Sequence, residues 1–128
     1  MRQEPANHET GKRSPKALAP SVANARNILR KAAFRGNVTF TNRFLDRCRM
    51  HVINTVDVVR VLSTGVLVGT SQFDSANDGW RYQVVGLAEG RKLKIEVLLD
   101  CQQDWDESPL VTVVSACWWR GRARAQKE

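Results

Sequence analysis

Disulfide and metal-binding patterns are what this sequence most plainly lacks. Its 128 residues contain three cysteines and two histidines. Cys48, Cys101 and Cys117 are odd in number and widely spaced, with no Cys-x-x-Cys and no nearby His pair of the kind that builds a zinc site. His8 and His51 are too few to complete a metal centre with them, so free thiols in a cytoplasmic setting are expected, with no metal and no cofactor. No run of eighteen apolar residues occurs, and residues 1–30 alternate charge, proline and alanine without an apolar signal core. Neither a membrane span nor a secreted destination is expected. Internal repeats are absent as well. The acidic loop at 100–107 lacks a glycine at a suitable turn position and a full set of oxygen ligands, which excludes an EF-hand. It reads as a strand connection with solvated carboxylates, in which Trp105 closes the sheet edge.

What is present suffices for one core. Apolar residues make up 42% of the chain, enough at this length for a single domain and not for two. The net charge is +7, but it is unevenly spread. Residues 1–35 hold eight Lys/Arg against two Glu, and residues 118–128 hold four against one. The intervening 36–117 holds eight basic and ten acidic residues, so it is slightly acidic. The expected organisation is a disordered basic arm at 1–20, one α+β domain at 21–117 and a basic tail at 118–128. Clustered cations of this kind suit nucleic-acid phosphates.

Local patterns place the elements. Ser21 follows Pro20 as an N-cap, and the next twelve residues put Ala25, Ile28, Leu29 and Ala32 on one helical face, with Gly36 as the stop. Residues 37–41 read as a strand or an extended lead into a second helix. That helix is capped by Thr41 or Asn42, runs to about His51, and turns Phe44 and Cys48 inward. Asn54 or Thr55 caps a third, with Asp57 in its first turn, Val56, Val59 and Leu62 as its apolar face, and Gly65 at its end. The period then becomes alternating, and four strands are expected at Val66 to Gln72, Trp80 to Leu87, Lys92 to Asp100 and Leu110 to Trp118. Short turns between the first three favour antiparallel pairing of neighbours, giving a four-stranded meander. One face is apolar and should pack on the helices, while the other carries Arg81, Gln83, Lys94 and Glu96.

The stretch FTNRFLDRCRMHVIN, followed by a Val-rich helix ending at Gly65 and then by WRYQVVG, LKIEVLL and LVTVV, resembles a small bacterial family related to the BrnT and RelE-like toxins. The resemblance covers roughly residues 38 to 116. Arg43 falls where that family has a His, Arg47 on its first Arg, and His51 on its second Arg. Ile53 and Asn54 take the place of an Ile-Ser cap, Arg81 and Tyr82 of an Arg-Tyr pair, and Thr112 of the threonine in the final strand. Arg and His thus exchange positions relative to the family pattern. The resemblance implies a RelE-like fold, with helices on one face of the meander, and an RNA-directed toxin-like activity, metal-independent endoribonuclease action included. It further implies RNA and an antitoxin as partners.

Positions 43, 47 and 51 are four apart, so on a helix they drift by only about 40° per step and share one broad face. Cleavage of RNA through its own 2′-hydroxyl needs a base, an acid for the leaving oxygen and donors for the crowded phosphate. His51 suits acid or base work, with Arg43, Arg47 and Arg81 for phosphate oxygens and Tyr82 for a hydrogen bond or base stacking. Arg49, Lys92 and Lys94 are further nucleic-acid contacts, as are Arg120, Arg122 and Arg124 in the aromatic and basic run WWRGRAR. Blander roles stand beside these. The helix arginines could be a solvated face paired with Asp46 or Asp57, Arg81 a cross-strand partner of Glu96, and Tyr82 a core residue beside Trp80. Two other functions remain open on sequence grounds: a nucleic-acid-binding module without catalysis, and an interaction or inhibitory partner of a mobile element docking through the N-terminal helix.

Overall fold

A computed structural model describes residues 18–119. The elements follow in the order α1 Val22–Arg35, β1 Val38–Phe40, α2 Asn42–His51, α3 Thr55–Thr64, β2 Val66–Asp74, β3 Gly79–Ala88, β4 Arg91–Asp100 and β5 Val111–Trp118. Each helix begins at a polar cap that satisfies an otherwise orphaned amide. Ser21 Oγ accepts from the Asn24 amide at 3.2 Å, Thr41 Oγ1 from Phe44 at 3.0 Å, and Asn54 Oδ1 from Val56 at 2.9 Å. Gly36 ends α1 in the left-handed region at φ 75°, its amide returning to the carbonyls of Ala32 and Ala33.

The sheet order is β1-β5-β4-β3-β2. Strands β2 to β5 pair antiparallel with their sequence neighbours, through short turns between β2, β3 and β4 and through the longer segment 101–110 between β4 and β5. The β3–β4 hairpin turns on Glu89 and Gly90, both at positive φ, between the paired Ala88 and Arg91. A four-stranded meander is nevertheless an incomplete description. Residues 38–40 add a fifth strand parallel to β5, pairing Val38 with Val111 and Phe40 with Val113, and the sheet is mixed. This three-residue strand is too short for alternation to identify, and its pairing spans more than seventy residues of chain.

One sheet face carries the core. Tyr82, Val84, Leu93, Ile95, Val97, Leu99, Val111, Val113 and Ala116 are buried there together with Ala25, Leu29, Ala32, Phe44, Val58, Val61 and Leu62 of the helices. Each fully buried Val or Leu contributes roughly 1.5–3 kcal/mol relative to exposure. Helix α3 packs on β3 and β4, α1 packs on α3, and α2 packs on β5. The apolar stripe of α3 differs in phase from the expected one: Val58, Val61 and Leu62 are buried, whereas Val56 is 61% exposed. The helix carries apolar residues at 56, 58, 59, 61 and 62, so more than one face was available, and the docking of Val61 beside Gly86 of β3 selects the face.

Both ends of the described segment are tied to this core. The Pro20 carbonyl accepts from Tyr82 Oη at 2.7 Å, and the Trp119 amide donates to the Lys92 carbonyl at 2.8 Å. Pro20, Trp118 and Trp119, assigned from sequence to the arm and the tail, thus hold positions in or against the sheet. The rest of the expected basic arm at 1–17, and the tail from 120, lie outside the described residues. Among the described residues no helix is long and apolar enough to cross a membrane.

Candidate functional site

Strand β1 covers only Val111 to Val113 of β5, leaving the remainder of that edge to be packed by α2. Phe44 and Cys48 turn into the core, and Phe44 stacks on Phe40 with ring centroids 5.3 Å apart. Residues 43, 47 and 51 lie about 100° from that buried stripe on the helical wheel. They flank the polar face of the sheet, climbing about 6 Å per four-residue step. The Trp118 indole donates to the carbonyl of His51 at 3.1 Å and pins the end of α2 against β5.

A bulge sharpens this junction. Val97 pairs with Val113 but Glu96 pairs with Ser115, so Val114 is an extra residue in β5. Such a bulge re-aims the side chains beyond it. Ser115 and Cys117 therefore stand on the polar face, Ser115 Oγ lying 3.4 Å from Glu96 Oε1. Between α2 and this part of β5 lies a cavity of 320 Å³ lined by Arg43, Arg47, Arg81, Glu96 and residues 114–117. A second of 200 Å³ is lined by Arg47, His51, Arg91, Cys117 and Trp118. Arg47 and Cys117 belong to both, so the two form one groove.

The sequence-derived residues fare differently in this geometry. Arg43, Arg47 and His51 are brought together, and neither arginine has a carboxylate partner among the described residues. Arg81 reaches the groove already neutralised. Its Nε and Nη2 each lie 2.8 Å from Asp74 Oδ2, and its Nη1 lies 3.2 Å from Glu96 Oε1. Hydrogen bonding to Asp74 and the charges of both carboxylates raise its pKa against the opposing effect of burial. Asp74 is in turn held below the ordinary carboxylate range, chiefly by the Asn77 side chain and further by Arg81. This network makes Arg81 a strut of the polar face rather than a free phosphate ligand.

Tyr82 stands on the opposite face of β3, 5% exposed, with its hydroxyl committed to Pro20. The strand alternation that places Arg81 at the groove necessarily turns Tyr82 into the core, so it cannot join the same site. Arg49 points away from the groove along α2 and pairs with Asp46. Lys92 is exposed at the start of β4 with its ammonium 5.4 Å from the centre of the Trp119 ring. Lys94 lies opposite Cys117 in the β4–β5 ladder, on the polar face that carries Glu96. Arg120, Arg122 and Arg124 lie outside the described residues.

Three groove residues were not legible as such. Arg91 and Trp118 sit beyond alternation arguments because they meet only in the fold, where Trp118 pairs with Leu93 of β4 and Arg91 stands two residues before it, and Cys117 faces the groove because of the bulge at Val114. Its thiol is exposed, whereas Cys48 is buried and its pKa is raised by desolvation, an effect that Arg49 partly opposes. Among the described residues no three His, Cys, Asp or Glu side chains converge as a metal site. No family model, curated protein or solved structure matches this chain.

Proposed function

We propose that this protein is an RNA-directed domain that grips the phosphate backbone in the groove between α2 and β5. The observation that carries this reading is the convergence of Arg43, Arg47, His51 and Arg91 on two adjoining cavities. Guanidinium groups without a carboxylate partner bind phosphate oxygens through paired, charge-assisted hydrogen bonds. The resemblance to the BrnT and RelE-like toxins supports RNA as the polymer, since the same helix carries the matching positions. The basic segments at either end of the chain add attraction that does not depend on sequence. Filter binding of labelled RNA at graded salt tests the proposal. Tight, salt-sensitive retention that falls at least tenfold in an Arg43→Ala/Arg47→Ala double variant is expected, and equal retention by both proteins would refute it.

A catalytic reading, a toxin-like metal-independent endoribonuclease, is favoured by the presence of His51 and Arg47 in one cavity. An imidazole there can take the proton of a 2′-hydroxyl or protonate a leaving oxygen while Arg47 holds the phosphate. Arg81 is neutralised and Tyr82 lies in the core, which leaves His51 as the one imidazole in the groove among the described residues, with the Cys117 thiol in the same cavity and Glu96, in the adjoining one, already paired with Arg81. Binding is consequently the better-supported function. Incubation with total RNA in EDTA distinguishes the two readings: discrete fragments lost in His51→Ala would establish cleavage, and intact RNA retained by both proteins would establish binding alone.

A further inference from the structure

The smaller cavity has an aromatic wall, which the larger lacks. Trp118 forms that wall, and the Arg91 guanidinium lies over its ring, 4.2 Å from the centroid. The indole is held on its polar edge by the hydrogen bond to the His51 carbonyl, so its plane is fixed before any ligand arrives. A planar cation thereby lies over an aromatic ring in a recess whose neighbouring wall carries Arg47 and His51. An isolated surface cation on an aromatic ring contributes only about 0.5–1 kcal/mol to stability. A stack that borders a cavity also offers a surface on which a further planar ring can lie.

We propose that this recess binds one unpaired nucleobase, and that the groove therefore takes single-stranded rather than double-stranded RNA. The inference rests on the RNA-directed reading above and adds the polymer form and a base subsite to it. A base stacks as the next plane on the Arg91 and Trp118 pair, the arrangement by which single-stranded RNA is commonly held on guanidinium and aromatic faces. Arg47, shared by both cavities, lies at the boundary between base and backbone, and Arg43 continues the phosphate track along α2. A base inside a duplex has both faces occupied by its neighbours and cannot enter such a recess. No particular base is selected, because stacking uses a π face that every base possesses.

The test uses the full chain with a short single-stranded RNA carrying 2-aminopurine, whose fluorescence falls when it stacks, and the same RNA annealed to its complement. The expected results are binding of the single strand at least tenfold tighter than the duplex, and quenching on saturation. Arg91→Ala and Arg91→Lys should both lose most of the quenching, and Arg91→Lys should keep more of the affinity than Arg91→Ala, since Lys preserves the charge and lacks the planar face. Equal affinity for single strand and duplex, or quenching unchanged in both Arg91 variants, would overturn the base subsite and leave RNA binding standing. Absence of any RNA binding by the unaltered protein would overturn both. Circular dichroism of the variants guards against unfolding, because Arg91 is exposed on the described surface.

Discussion

Tyr82 is the one tyrosine of the chain, so phenolate absorbance reports its ionisation directly. Burial pushes its pKa up to about 12, with the Ser71 side chain opposing the shift. The unfolded phenol titrates near 10. A raised pKa means that the fold favours the neutral phenol. The associated stability is therefore complete below about pH 10 and is lost as pH rises through about 12. The phenolate midpoint is expected near 12 or at the alkaline unfolding transition, and a midpoint near 10 in folded protein would contradict the burial. Tyr82→Phe should remove this alkaline loss and cost about 1 kcal/mol at neutral pH through the missing bond to Pro20. A second residue stores strain. Val52 ends α2 at φ 54°, with its side chain 84% exposed. A β-branched residue in the left-handed region costs about 1–2 kcal/mol, with no buried contact here to offset it. Val52→Gly should raise the urea midpoint by an equivalent of about 1 kcal/mol with an unchanged slope.

At the scale of elements, the approach of α3 to β3 fixes the core. Gly65 ends the helix where a Cβ would lie 2.7 Å from both the Val61 and Val85 carbonyl oxygens and 2.9 Å from Val84 Cγ1. Those oxygens are backbone, one in α3 and one in β3, so relief would require both the end of the helix and its distance from the strand to change. A Cβ on Gly86 would meet Val61 Cγ1 at 3.1 Å and the Gly65 Cα at 3.2 Å, which shows how closely the two elements interlock. Gly65→Ala is expected to destabilise the protein by about 1–3 kcal/mol in thermal or denaturant unfolding. The pairing of α2 with β5 differs in kind. It rests on Phe44, Cys48 and the Trp118 hydrogen bond, and it leaves the polar flank of the helix to face the groove. The bulge at Val114 and the helix thus build the site jointly, and neither forms it alone.

For the molecule as a whole, charge placement sets the salt dependence expected of the proposed association with RNA. The segment 36–117 carries a slight acidic excess, and both flanking segments are basic. Net attraction at long range therefore belongs to the ends of the chain, and local grip belongs to the groove. Counterion release gives a slope of about −0.7 per phosphate contact for single strands in a plot of log affinity against log salt. Arg43→Ala/Arg47→Ala should make that slope shallower by about 1.4. Removal of residues 120–128 should flatten it further without abolishing the preference for single strands. A slope unaffected by the helix substitutions would assign the phosphate contacts to the tails. The Asp74, Arg81 and Glu96 network contributes differently, by fixing the polar wall. It holds Arg81 against carboxylates rather than free for phosphate.

The helix caps at Ser21, Thr41 and Asn54, the four later strands and the inward turn of Phe44 and Cys48 were all determined locally, by hydrogen-bonding side chains and by periods of 3.6 and 2. The spacing of Arg43, Arg47 and His51 likewise places them on one helical face without any tertiary contact. Tertiary structure alone decided the parallel addition of β1 and the face of α3 that is buried. It also set the neutralisation of Arg81 and the meeting of Arg91 with Trp118. Each of these depends on contacts between residues distant in the chain, or on a one-residue bulge that reverses which side chains face the groove. Periodicity is a property of neighbours and does not encode register across strands. The sequence by itself therefore named a cationic helix, and only the folding of β5 against it made a groove.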